Sequence, residues 1–182
     1  MTERLVPYQP ADVSEPAELV AAIRQRRGGH LLHLDRMLLH SPPLAQGWNA
    51  FLGQVRQHLS LDGRLRELAM CGVAVLNRAD YEFVQHAPVY LKEGGTDAEL
   101  AQLRQLGSAH YDPGAWPRDI DRLACELIVQ MTRQIEVDAR MKQALHAQLG
   151  HQALVELVAV VAAYNMVSRF LVALDVHPED AS

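Results

Sequence analysis

Residues 67–86, ELAMCGVAVLNRADYEFVQH, decide how the rest of the chain is read. The run from Glu67 to Leu76 is almost wholly apolar and reads as the end of a helix, Asn77-Arg78 as a turn, and Ala79 to Glu93 as a second helix. Glu82 and His86 stand four residues apart, so on that second helix their side chains share one face. An antiparallel pairing of the two helices brings Glu67 back toward the same face. Two carboxylates and an imidazole beside apolar walls form a setting in which pKa values are drawn toward neutrality, and proton transfer is the chemistry that suits it. The plainer alternative is a solvated helix face whose i,i+4 pair contributes a few tenths of a kcal/mol.

Outward from this stretch the pattern stays helical. EPAELVAAIRQRR opens at Glu15 and ends at Gly28-Gly29, and a second helix spans about His30 to Leu39. A third starts after Ser41-Pro42 and runs to His58, and Ser60 or Asp62 caps the helix that contains Glu67. Downstream, Gly94-Gly95 ends the hairpin, and Thr96 with Glu99 forms a capping box. Residues 110–119, HYDPGAWPRD, are the clearest loop, followed by helices at about 117–134, 138–149 and 151–174. No segment sustains a two-residue alternation, and Asp62-Gly63 sits between helix-like patterns, so it gives no hairpin signal. The expected fold is all-α with about eight or nine helices. An extended arm is expected over 1–14 and a single domain over 15–178. Glu67-Leu68 leading to Tyr81-Glu82 is faintly echoed by Glu156-Leu157 leading to Tyr164-Asn165, which suggests an internal duplication.

Composition narrows the function. The chain has 182 residues, 49% hydrophobic and 21% charged, enough for a core without staples. A net charge of −5 and a pI near 6.0 argue against nucleic acid as the main partner, since neutralising phosphates requires a basic face. The amino-terminal residues lack the apolar run of an export signal, so a cytoplasmic protein is expected. Residues 154–174 are long enough to span a membrane but include Glu156, Asn165, Ser168 and Arg169, which fits a buried helix and no membrane role. Its apolar stripe favours a homo-oligomer. Cys71 and Cys125 are the two cysteines and make no disulfide framework. His30, His33 and Asp35, with His40 beyond, lack the further ligands of a closed metal site; no metal and no cofactor are expected.

Residues 66–100, RELAMCGVAVLNRADYEFVQHAPVYLKEGGTDAEL, resemble the carboxymuconolactone decarboxylase family, which includes the alkylhydroperoxidase AhpD-like proteins. Residues 26–48 and 154–176 resemble it as well. The resemblance implies an AhpD-like helical bundle, a small-molecule substrate and a trimer or hexamer. Its peroxidase branch carries Cys-x-x-Cys-x-x-x-His with an upstream glutamate. Aligned on His86, the glutamate falls on Glu67, but the cysteines fall on Ala79 and Glu82, so the redox pair is missing. The decarboxylase branch has a glutamate four residues before the histidine, as Glu82 stands before His86. By that resemblance His86 is the general acid/base, Glu82 its partner and Glu67 its orienter, with Asp80 and Tyr81 as substrate contacts. The implied reaction is decarboxylation, or a related proton transfer, on a small carboxylated lactone or enolisable acid. A thiol-dependent peroxidase using Cys71 and a non-catalytic ligand- or partner-binding helical module are the alternatives.

Overall fold

The computed structural model describes residues 5–179, so the first four residues of the expected arm lie outside the described residues. Among the described residues there are eight α-helices and no strand. They are α1 (Ala17–Arg26), α2 (His33–Leu38), α3 (Pro42–Gln57), α4 (Gly63–Asn77), α5 (Asp80–Lys92), α6 (Asp97–Leu103), α7 (Asp119–Arg133) and α8 (Ala139–Ala173). The loop before α7 holds a short 3-10 turn, Pro113–Ala115. The chain divides into two compact units, the first from the amino terminus to His58 together with the segment from Leu171 onward, the second Leu59–Phe170.

In the first unit α1, α2 and α3 bury Val20, Ile23, Leu34, Met37 and Leu52. The arm is laid on α2: the Arg36 side chain donates to the Gln9 carbonyl at 2.5 Å, and Tyr8 stacks on His33 with ring centroids 4.2 Å apart. Asp35 closes the start of α2 by accepting from the Leu32 amide at 3.1 Å, and Arg27 Nε lies 3.0 Å from the same carboxylate oxygen. His33 and His40 are committed to backbone carbonyls, of His177 and Pro7 respectively.

In the second unit α4 is the central element, and its side chains from Leu68 to Ala74 are almost fully buried. Asp62 begins it by accepting from the Leu65 amide at 3.0 Å, and Arg78 ends it in the left-handed region at φ 57. The turn is tight enough for the Ala79 amide to reach back to the Ala74 carbonyl at 2.9 Å, which starts α5 in the reverse direction. α7 closes on α4 at Gly72, where a methyl group would meet Ile128 at 3.1 Å and Leu106 at 3.3 Å. Burial of side chains such as Leu68, Met70 and Val73 stabilises the unit by about 1.5–3 kcal/mol each.

Charge is also built into this core. Arg64 on α4 pairs with Asp121 of α7 at 2.7 Å and with Glu99 of α6, and all three are buried. Glu99 further accepts from the Tyr90 hydroxyl at 3.0 Å and the Thr96 amide at 2.8 Å, completing the capping box expected from the sequence. Burial alone would raise the Glu99 carboxyl, but the hydrogen bonds from Tyr90 and Thr96 and the charge of Arg64 outweigh it and leave its pKa below the ordinary value. For Asp121 burial wins over Arg64 and the pKa is raised.

α8 is one run of helix interrupted at Gly150, whose φ of 72 and ψ of −175 are not helical. The two helices expected at 138–149 and 151–174 are therefore its two segments. By length and composition α8 can cross a membrane, yet half of its most apolar window is buried within the fold, as in a core helix.

Two measurements follow from these features. Gly150→Ala forces a side chain into a backbone region open essentially to glycine alone, and should cost about 1–3 kcal/mol, read as a lowered Tm. The lowered Glu99 pKa means its stabilising contribution is complete above the ordinary glutamate pKa and is lost as pH falls through the folded value. Glu99→Gln should therefore lower Tm at neutral pH, by the equivalent of about 3 kcal/mol for a broken buried pair. The difference from the parent protein should shrink once pH drops below about 4, and a difference constant down to acid pH would contradict this assignment.

Candidate active site

The hairpin sets the site. α4 delivers Glu67 into the core with 3% of its surface exposed, and α5 returns His86 to meet it, Nδ1 lying 2.7 Å from the Glu67 carboxylate. Arg66 Nε lies 3.3 Å from the other Glu67 oxygen. A carboxylate can only accept, so a proton on Nδ1 is shared with Glu67 and Nε2 is left for a partner on the other side of the ring. Nε2 is 3.0 Å from the hydroxyl of Tyr164, contributed by α8, and the two rings meet edge to face with centroids 5.0 Å apart. Tyr164 is fully buried, whereas the His86 side chain keeps 12% of its surface exposed. Glu67, His86 and Tyr164 form a continuous chain of proton-carrying groups. Its one point of access is the imidazole.

Tyr164 is held by its neighbour in sequence. Asn165 donates to Thr132 of α7 at 3.0 Å, and Asn77 at the end of α4 donates to Asn165 at 3.0 Å and to Ser168 at 2.7 Å. This buried network fixes the register of α8 against the other two helices, and with it the height of the Tyr164 hydroxyl. Arg169 is drawn into the network through the Asn165 side-chain oxygen at 2.6 Å.

The remaining sequence candidates fall in different places. Glu82 is buried one turn before His86, at 2% exposure. Tyr81 is buried in the core, and Asp80 is exposed at the start of α5 among the residues of a surface groove. Glu156, part of the suspected sequence echo, accepts from the Leu61 amide and the Ser60 hydroxyl at 2.7 and 2.9 Å. Tyr164 appeared in the sequence only as part of that echo. It lies 78 positions from His86, and its one local signal is a phenol inside an apolar helix, a group that needs a polar partner when buried.

Cys71 stands one turn beyond Glu67 on α4 with no exposed surface. Burial raises its thiol far above the ordinary range, and the negative charges of Glu67 and Glu82 raise it further. Burial likewise pushes the Cys125 thiol up to about 12. Both are free cysteines. At neutral pH neither supplies a thiolate.

The fold is that of the AhpD-like helical proteins. A peroxidase-related protein from Silicibacter sp. TM1040 superposes with a TM-score of 0.79 at 18% identity, over 99% of this chain and 96% of its own. A peroxidase-related protein with an alkylhydroperoxidase AhpD core from Ralstonia eutropha JMP134 gives 0.77 at 15% identity, over 98% and 95%. The debrominase Bmp8, in complex with 2,3,4-tribromopyrrole, gives 0.75 at 16% identity, over 98% and 94%. Residues 42–118, the segment that contains Glu67, Glu82 and His86, match the model of the carboxymuconolactone decarboxylase family. No curated protein is significantly similar to the chain in sequence.

The raised thiol pKa values set an expectation for labelling. At about pH 8 both cysteines of the native protein should resist a thiolate-directed disulfide reagent and react only after unfolding in guanidinium. Rapid release of one equivalent from the folded protein would overturn the account of Cys71.

Proposed function

We propose that the protein is a carboxymuconolactone decarboxylase-like enzyme that transfers a proton to or from a carbon of a small, unsaturated carboxylated ring, with His86 as general acid/base. The observation that carries this reading is the run from the Glu67 carboxylate through the His86 imidazole to the Tyr164 hydroxyl. Glu67 orients the ring and stabilises the imidazolium, Nε2 exchanges the proton with substrate, and the buried Tyr164 hydroxyl positions Nε2. Glu82 contributes a second buried carboxylate beside His86.

For a carboxylated lactone, the C–C bond to the carboxylate breaks and releases carbon dioxide. The bonding pair passes into the conjugated carbonyl as a dienolate, and the imidazolium form of His86 then gives its Nε2 proton to ring carbon, leaving the neutral imidazole with its proton on Nδ1. Solvent returns that proton to the imidazole, so no oxidant or reductant is consumed. The family match over residues 42–118 supports this chemistry, and the small planar ring bound by the debrominase of the same fold supports the size of substrate. The thiol-peroxidase alternative lacks support from either cysteine. Exposed Val155, Val158 and Met166 along α8 support assembly with further copies, and the free buried cysteines support a reducing, cytoplasmic setting.

The test is carbon dioxide release from 4-carboxymuconolactone. His86→Ala should reduce the rate by about 10²–10⁴, the range for loss of a general acid/base. Tyr164→Phe and Glu67→Gln should lower kcat more than they raise KM. Release that persists undiminished in His86→Ala would reject the role of His86. If the unsubstituted protein releases nothing, the lactone is rejected as substrate. Exchange of carbon-bound hydrogen for deuterium in a panel of small enolisable acids, with and without His86, then decides whether proton transfer is the reaction.

A further inference from the structure

On α5 the face opposite Glu82 and His86 is open. Val84 and Leu91 are 54% and 37% exposed there, and with Phe83, Ala87 and Pro88 they line a groove of about 800 Å³. Ala74 and Val75 of α4 form its other apolar wall. The volume falls in the range of small-molecule sites. Three charged residues line it, Arg78, Asp80 and Arg104.

Their placement gives the groove a polarity. Arg78 is the left-handed residue that ends α4, directly before α5, and Asp80 is the first residue of α5. The Arg104 guanidinium lies over the Phe83 ring, 4.1 Å from its centroid. All three therefore stand at the amino-terminal end of α5, while Val84, Ala87, Pro88 and Leu91 continue away from them for about 10 Å at the helical rise. Among the described residues neither Arg78 nor Arg104 is in an ion pair with a carboxylate. Two guanidiniums against one carboxylate leave one net positive charge. One end recognises an anion, and the rest recognises a hydrocarbon.

We propose that this groove binds a free amphipathic monocarboxylate, a medium-chain fatty acid or an acid of similar shape, at a site separate from the His86 centre. The carboxylate is held by Arg78 and Arg104, and the tail lies along Val84, Ala87 and Leu91. Arg104 is kept in place by the Phe83 ring, so little of its freedom is lost when it takes up the ligand. The inference does not rest on the reaction proposed for His86.

The experiment is calorimetric titration of the purified protein with decanoate below its micellar concentration, with decanol as the uncharged comparison. Saturable binding of one decanoate per chain is expected, weaker by about tenfold or more for decanol and for Arg78→Gln or Arg104→Gln, as for the loss of a charge-assisted hydrogen bond. Val84→Asp should abolish it. All three positions are exposed, and thermal melts of each variant establish that it is folded. Three outcomes overturn the proposal: no saturable binding, equal binding of decanol and decanoate, or binding indifferent to both arginines and Val84. A fourth is a fall in oligomeric state on Val84→Asp, measured by sedimentation, because the groove would then be covered by a second copy.

Discussion

The second unit is organised around charges that α4 carries into the core. Arg64 and Glu67 are one turn apart on a helix buried along most of its length, and neither can remain there without partners, because an isolated buried charge costs several kcal/mol. Arg64 is answered by Glu99 from α6 and Asp121 from α7. Glu67 is answered by His86 from α5, which is answered in turn by Tyr164 from α8. Each helix that packs on α4 or reaches the site thus supplies a polar group at a fixed height. Apolar contacts alone allow helices to slide by a turn, whereas these pairings admit one register. The same requirement that fixes the packing also brings Glu67, His86 and Tyr164 together.

The two charges serve different ends because their surroundings differ. Arg64 meets two carboxylates, a phenol and no ionisable group of near-neutral pKa, so its cluster is a structural lock that titrates only toward acid. Glu67 meets an imidazole, the side chain whose unperturbed pKa lies closest to neutrality, and that imidazole retains access to solvent. Cys71 shows the electrostatic consequence. A thiol one turn from Glu67 is held protonated by burial first and by the negative charges of Glu67 and Glu82 after it. Where the resembling peroxidases place a redox cysteine, this chain has Glu82, a carboxylate in place of a thiol.

Much of this was legible in the sequence wherever the signal is local. The hairpin turn at Asn77-Arg78, the Asp62 cap, the Thr96-Glu99 capping box and the break between Leu149 and His151 each leave a mark within a few residues. Glu67, Glu82 and His86 could be grouped because one hairpin carries them all. Tyr164 could not be placed by spacing, since only tertiary packing brings it to Nε2. Arg64, Glu99 and Asp121 were hidden for the same reason, their separation in sequence carrying no periodicity. Asp80 stands two residues before Glu82, about 200° around the helix, and lines the surface groove.

That rotation also explains how α5 tolerates a proline. Pro88 cannot donate to the Val84 carbonyl, a loss that would be costly on the face carrying Glu82 and His86, where burial leaves no substitute donor. Pro88 and Val84 instead lie on the exposed side, where solvent can satisfy the freed carbonyl, and the helix continues to Lys92. The buried face keeps its hydrogen bonds and its geometry, so His86 is held rigidly. The open face carries the irregularity and remains free to be occupied. One helix therefore presents two unlike surfaces, a mostly buried one that carries Glu82 and His86 and an open one shaped by apolar side chains with arginine at one end.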